Sequence, residues 1–175
     1  MAQDIDPEKC KITRYPETVL ANKAQPVEEI NDNIRRLVEK MTEIMIANKG
    51  VGLAAPQAGV SLRLFIISID GTKEKVRAYI NPTVTTDGKL ESCEEGCLSI
   101  PQVYTKIKRY SRATVTATDL DGREFTDHAE GLYARALQHE YDHIEGITIA
   151  DRMGSAASIV HRRQLKKLVE NHEKS

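Results

Sequence analysis

The chain predicts an α+β fold, with mixed or antiparallel sheets packed around a central helix and a further helix at the C-terminus. Three observations carry this. Strand-like runs are punctuated by Asp70-Gly71, Asp87-Gly88 and Asp121-Gly122, the dipeptides of tight turns. No strand–helix–strand rhythm of the parallel kind links those runs. Helical periodicity is confined to three stretches, near 27–48, 130–145 and 155–174.

Bulk properties narrow the function classes. The 175 residues suit one domain, 1–175, large enough to bury a core. Hydrophobic residues at 40% and charged residues at 29% read as a globular composition rather than a disordered one. A net charge of −1 argues against nucleic acid such as DNA, or a membrane, as the main partner. No apolar run approaches the ~20 residues of a membrane span. The opening Met1-Ala2-Gln3-Asp4-Ile5-Asp6 is acidic and polar, unlike a signal or transit peptide. Three cysteines, Cys10, Cys93 and Cys97, fit a reducing, cytoplasmic setting better than a disulfide framework.

Taken in order, residues 1–26 read as irregular chain, with Tyr15-Pro16 extended or turn-like. Over 27–48, Ile30, Ile34, Leu37, Met41, Ile44 and Met45 recur at three- and four-residue spacing, and Gly50 is placed to cap the end. Next comes Gly50-Val51-Gly52-Leu53-Ala54-Ala55-Pro56-Gln57-Ala58-Gly59. It is either a tight connection of small residues or an active-site wall in which Gln57 donates a hydrogen bond. It lacks the Lys-Ser/Thr ending of a phosphate-binding loop. Strands are expected over 62–69 and 76–80, the second ended by Asn81-Pro82, and over 112–118, with a hairpin at Asp121-Gly122. The stretch 147–150 reads as a short extension before the last helix. In that helix, His161-Arg162-Arg163 and Lys166-Lys167 read as a solvated face, with docking on an RNA-rich particle as the alternative.

The densest chemistry lies in Gln138-His139-Glu140-Tyr141-Asp142-His143. Residues four apart stack on one helical face, so His139 and His143 suit one metal ion and Glu140 beside them suits proton transfer. Advancing ~100° per residue puts Leu132 and Ala136 on the same stripe. Tyr133, Leu137, Tyr141 and Ile144 fall on another, core-facing stripe. The metal face therefore adjoins a small apolar wall, suited to an unbranched apolar side chain.

Two histidines need a third ligand. A downstream histidine or glutamate would give a zinc metallopeptidase, but His161 and Glu170 lack the accompanying glycine motif. Cys93 with Cys97 would give a closed structural zinc, although the gap to His139 is long and Glu140 would be idle. Cys97 alone would leave an open, catalytic position.

Three stretches together resemble the signature motifs of peptide deformylases, particularly the type 1 bacterial and organellar enzymes. They are Gly50-Val51-Gly52-Leu53-Ala54-Ala55-Pro56-Gln57, Glu95-Gly96-Cys97-Leu98-Ser99 and the His139–His143 segment. Arg14-Tyr15-Pro16 and Asp151-Arg152 also fit, so the resemblance spans nearly the whole chain. It implies hydrolytic removal of the formyl group from nascent polypeptides beginning with N-formylmethionine. It makes Cys97, His139 and His143 the metal ligands, usually of Fe²⁺, with zinc, nickel or cobalt as substitutes. Glu140 becomes the general acid and base, and Gln57 with the Leu98 N–H the oxyanion donors. Backbone groups of Val51 and Gly52 would pair with the peptide. Its methionine side chain would lie against Val51, Cys93, Leu132, the Arg135 stem, Ala136 and His139. Glu95 would pair with Arg109 to hold the cysteine loop, against the plainer reading of Arg109 as a surface arginine. Asp142 either orients a ligand or bonds locally. Tyr104 stands where some relatives carry a substrate-contacting arginine. Besides the peptidase, the competing reading is a metal-loaded, ribosome-docked protein without catalysis, for which Gln57 and Glu140 would have no use.

Overall fold

The computed structural model describes residues 5–174; the polar opening at 1–4 lies outside the described residues. Residues 5–31 include two short 3-10 turns, Pro7–Lys9 and Thr18–Leu20. Tyr15-Pro16 forms a turn through a cis peptide bond.

Helix α1 spans Asp32–Ala47, starting five residues after the expected bound at 27. Two asparagines set that boundary. The Asn31 side chain accepts from the N–H groups of Asn33 and Ile34, capping the helix. The Asn81 amide grips both backbone groups of Val27, at 2.8 and 2.9 Å, and so keeps residue 27 out of the helix. Ile34, Leu37, Met41 and Met45 are buried in one cluster with Leu53, Leu64, Ile66 and Ile80. The left-handed position after the helix is Lys49, not Gly50, at φ 56°. Gly50 is small for another reason: a Cβ there would lie 3.1 Å from Leu98 Cδ1.

Among the described residues, five antiparallel strands form a single sheet in chain order: β1 Gly52–Ala54, β2 Leu64–Ile67, β3 Arg77–Cys97, β4 Ile100–Thr118 and β5 Glu124–Glu130. The stretch 50–59 divides into β1 and a 3-10 turn, Ala55–Ala58. Strand β3 runs well past the expected end. Asn81-Pro82 and Asp87-Gly88 do not stop it; each sits at a register shift against β4, with Asn81 at φ 49° and Gly88 at φ 86°. Residues able to take a left-handed backbone here bulge one strand without ending its pairing. The hairpin closes at Cys97↔Ile100, so Leu98 and Ser99 form its tip and Cys97 ends β3. At Asp121-Gly122 the expected hairpin turn is present, with Asp119 N–H donating to Arg123 O.

Helix α2, Gly131–Ile144, lies against this sheet. Ala134, Leu137 and Ile144 pack with Phe65, Tyr79 and Val115, and Tyr133 and Tyr141 are half-buried against them. Gly146 follows at φ 76°, where a Cβ would also meet Ala21 O at 2.8 Å. Residues 147–150 are not simply extended. Thr148 donates from N and Oγ1 to the Asp151 carboxylate, starting the one-turn α3, Ile149–Arg152. Helix α4, Ser155–Glu173, rests Ala157, Leu165 and Leu168 on a cluster of Ile100, Val103, Ile107, Ile149 and Met153.

Candidate active site

Helix α2 and the end of β3 bring three metal-ligating side chains together. Cys97 Sγ lies 3.3 Å from His143 Nε2, which lies 3.3 Å from His139 Nε2. All three ligand atoms fall within 4.8 Å of one another, the one such cluster found among the described residues. Ligands about 2.0–2.3 Å from a tetrahedral ion stand roughly 3.3–3.7 Å apart, so this set fits one divalent ion and leaves a position open. Of the three candidates for third ligand, Cys97 is the one that converges. Cys93 sits on β3 opposite Ile107, exposed, and belongs to no such cluster.

Behind the ligands lies a buried charge network. His139 Nδ1 is 3.0 Å from Glu95 Oε2. A carboxylate only accepts, so the proton belongs on Nδ1 and Nε2 faces the metal position. Arg109 donates to both Glu95 oxygens, at 2.8 and 3.0 Å, and also to Asp142 at 2.8 Å. Arg109 is thus a buried bracket at an inward position of β4, not a surface residue. Asp142 accepts in addition from Arg152, so it ties α2 to both β4 and α3.

The charges follow from these contacts. Burial would raise the Glu95 carboxyl, but bonds from His139 and Arg109 bring it down to about 2. Burial would likewise raise the Cys97 thiol; the two imidazoles outweigh it and hold Cys97 well below the usual thiol range. His139 shifts upward, its burial outweighed by the bonds to Cys97 and Glu95. Glu140 behaves oppositely to Glu95. Burial pushes its carboxyl up, and the nearby imidazoles only partly offset this. Its Oε2 is buried without a hydrogen-bond partner, as is His143 Nδ1. An unpartnered buried carboxylate oxygen with a raised pKa is suited to proton exchange with a reacting group.

These groups open into a cavity of about 690 Å³. Val51, Gly52, Gln57, Cys97 and Leu98 line one part of it; Leu132, Arg135, Ala136, His139 and Glu140 line another. Cys93 is not among the lining residues, and His143 lies buried behind them. Gly52 has a specific steric reason: a Cβ there would stand 2.4 Å from Glu140 Oε1. Gln57 is oriented by its carbonyl oxygen, which accepts the Ala54 N–H at 2.9 Å. Its Nε2 is thereby turned toward Cys97 Sγ and Ser99 Oγ, at 3.4 and 3.3 Å.

Sequence reasoning missed the tripeptide that ties the Gln57 turn to the tip of the β3–β4 hairpin on one side of this cavity. Thr13 N–H donates to Gln57 O, Tyr15 N–H donates to Ser99 O, and the Arg14 guanidinium donates to Leu98 O. Only the Arg14-Tyr15-Pro16 motif hinted at it. Tyr104, expected at the rim, is 63% exposed and lines the cavity mouth with its ring against Gly96.

Comparison with known proteins agrees with this arrangement. The family model described as polypeptide deformylase matches residues 9–158. The chain is 40% identical to the peptide deformylase of Thermodesulfovibrio yellowstonii over 89% of this chain and 96% of that one. It is 44% identical to peptide deformylase 1 of Clostridium perfringens over 76% and 90% of the respective chains. The crystal structure of a plant peptide deformylase superposes with a TM-score of 0.92 at 32% identity, covering 99% of this chain and 95% of that one. One from Plasmodium falciparum gives 0.91 at 31% identity, covering 94% and 98%. Sequence, sheet topology and ligand cluster therefore converge: the chain belongs to the polypeptide deformylase family, hydrolases that release a formyl group from the N-terminus of formylated peptides.

Proposed function

We propose that residues 1–175 act as one catalytic domain on nascent chains beginning with N-formylmethionine, with each role carried by residues of the cavity just described. The observation that carries this is the unpartnered, buried Glu140 carboxylate beside the Cys97–His139–His143 cluster.

A divalent ion held by those three residues supplies Lewis acidity, acidifying water and polarising a carbonyl. The protein groups do the rest. Glu140 takes a proton from the attacking water and returns it to the amine nitrogen as the formamide C–N bond breaks. Its raised pKa suits it to hold that proton in between. Gln57 Nε2 and the Leu98 N–H donate to the formyl oxygen as negative charge develops there. The contact Gln57 Nε2 makes with Ser99 Oγ is long, 3.3 Å, and easily exchanged for a shorter one.

Strand β1 ends the sheet, and an extended peptide would add to its free edge beside Val51 and Gly52. The methionine side chain would lie against Val51, Leu132, the Arg135 stem, Ala136 and His139. Cys93 would bear on it only from outside the lining. The native ion is proposed as Fe²⁺, with Zn²⁺, Ni²⁺ or Co²⁺ able to occupy the same donors. Among the described residues no helix is long and apolar enough to cross a membrane. We place the activity in the cytoplasm, where nascent chains emerge.

Formate release from formyl-Met-Ala-Ser by fully metallated protein tests the reading. Glu140→Ala should abolish release while retaining the ion. Absence of formate from metallated wild type would overturn the assignment. A second element is the outer face of α4, where Arg162, Arg163, Lys166 and Lys167 are exposed. It is proposed to dock on the ribosome. Co-sedimentation with ribosomes at low and moderate salt tests this, and no binding at either would leave those residues a solvated face.

A further inference from the structure

Arg135 sits one helical turn before His139, so both side chains project from one face of α2. Arg135 lines the cavity, and its charged end is bonded to protein acceptors. Nη1 donates to Glu95 Oε1 at 2.7 Å and to Ile107 O at 3.1 Å, and Nη2 donates to Glu91 O at 2.9 Å. Glu95 is the carboxylate whose other oxygen holds His139 Nδ1. One carboxylate thus receives a donor from Arg135 on one oxygen and a metal ligand on the other. Both come from the same helix face, and the guanidinium is also anchored to β3 and β4.

We infer that Arg135 is a positioning residue that links the wall of the substrate pocket to the metal ligand His139 through Glu95. This rests on the proposed reading of the pocket as the site of the methionine side chain. The physical case has two parts. A four-bond side chain free in a pocket would sample many rotamers, and three anchoring bonds remove that freedom before substrate arrives. Moreover, a carboxylate that orients a metal-bound imidazole needs its own orientation fixed. Arg109 supplies one fork to Glu95 from β4. Arg135 supplies a donor from α2 itself, so the carboxylate is fixed relative to the helix that carries His139.

Three variants separate the two roles. Arg135→Met keeps the apolar stem and removes the anchor. Arg135→Lys keeps a cation able to reach Glu95. Arg135→Ala removes stem and anchor together. Zn²⁺ affinity is read by competition with a chromophoric chelator, and KM with formyl-Met-Ala-Ser on Zn²⁺-loaded protein. The Met variant should bind Zn²⁺ about tenfold more weakly, the lower end of what losing such a support costs, with a smaller rise in KM than the Ala variant shows. The Lys variant should recover most of the affinity, and the Ala variant should lose affinity and raise KM. Zn²⁺ affinity within about twofold of wild type in the Met variant would overturn the link. Equal losses in the Met and Lys variants would do the same, since charge at Glu95 would then be immaterial. If wild type binds Zn²⁺ but releases no formate, the proposed function fails while the affinity comparison still decides the link.

Discussion

Arg109 and Asp142 form a buried ion pair, 2.8 Å long, that joins strand β4 to the helix carrying both histidines. The side chains are only 4% and 8% exposed, and Arg109 holds Glu95 with its remaining donors. Removing Arg109 would take from two buried carboxylates the cation they share, leaving Asp142 with Arg152 and Glu95 with Arg135 and His139. Losing hydrogen bonds between charged groups with their remaining partners in place costs roughly 1.5–3 kcal/mol. Arg109→Ala is therefore expected to lower unfolding free energy by that amount in a urea titration. A loss below about 1 kcal/mol would mean that water replaces the guanidinium at little cost.

Gly52→Ala should act on catalysis rather than folding. The backbone of Gly52 is ordinary strand, so alanine is conformationally acceptable there. Its Cβ would, however, meet the Glu140 carboxylate at 2.4 Å for Oε1 and 2.9 Å for Cδ. The carboxylate must move by about an ångström, and displacements of that size cost around 10²-fold in turnover. Measured kcat should fall accordingly while the circular dichroism spectrum is unchanged. Wild-type kcat in Gly52→Ala would show that Glu140 need not hold this position.

The metal should stabilise the fold, because its three donors join the end of β3 to α2. Saturating ions that bind only the folded chain add about 2.7 kcal/mol at 100 times their Kd. Thermal melts of chelator-treated protein, with and without added Zn²⁺, measure this. Cys97→Ala should abolish the difference. Stoichiometric Zn²⁺ retained by that variant would show the third ligand to be misassigned.

Alkaline pH should expose a second, partly buried network, which joins α2 to β3 and β5. Tyr79 and Tyr133 hydroxyls are 2.5 Å apart, and Tyr133 donates to Asp127 at 2.8 Å. Burial is the main cause raising both phenols. For Tyr133 the bonds to Tyr79 and Asp127 add to it. The folded chain therefore favours the neutral phenols. That stability is fully present below the ordinary tyrosine pKa of about 10 and is lost as pH rises toward the higher folded values. Urea midpoints measured from about pH 8 to pH 11 should decline more steeply in wild type than in Tyr133→Phe. Parallel declines would assign the alkaline sensitivity to other groups.

Local pattern made α2 legible. The four-residue spacing of His139 and His143 and the Leu132–Ala136 stripe both follow from helical geometry, which depends only on neighbours along the chain. The same holds for the Asp121-Gly122 hairpin. Strand lengths were not legible, because Asn81-Pro82 and Asp87-Gly88 look locally like turns. Pairing with β4 carried β3 through both as bulges.

The residue types at this site are readable along the chain: two imidazoles on one helix face, a glutamate beside them, and a cysteine and glutamine in separate motifs. Tertiary structure decided which of them meet. It made Cys97 the third donor and left Cys93 exposed. It buried Arg109 between two carboxylates, set Gly52 against Glu140, and turned the charge of Arg135 onto Glu95. The reason is physical. Helix and turn geometry act over a few residues, whereas these contacts join residues 14 to 88 positions apart, and only the packing of β3, β4 and α2 creates them.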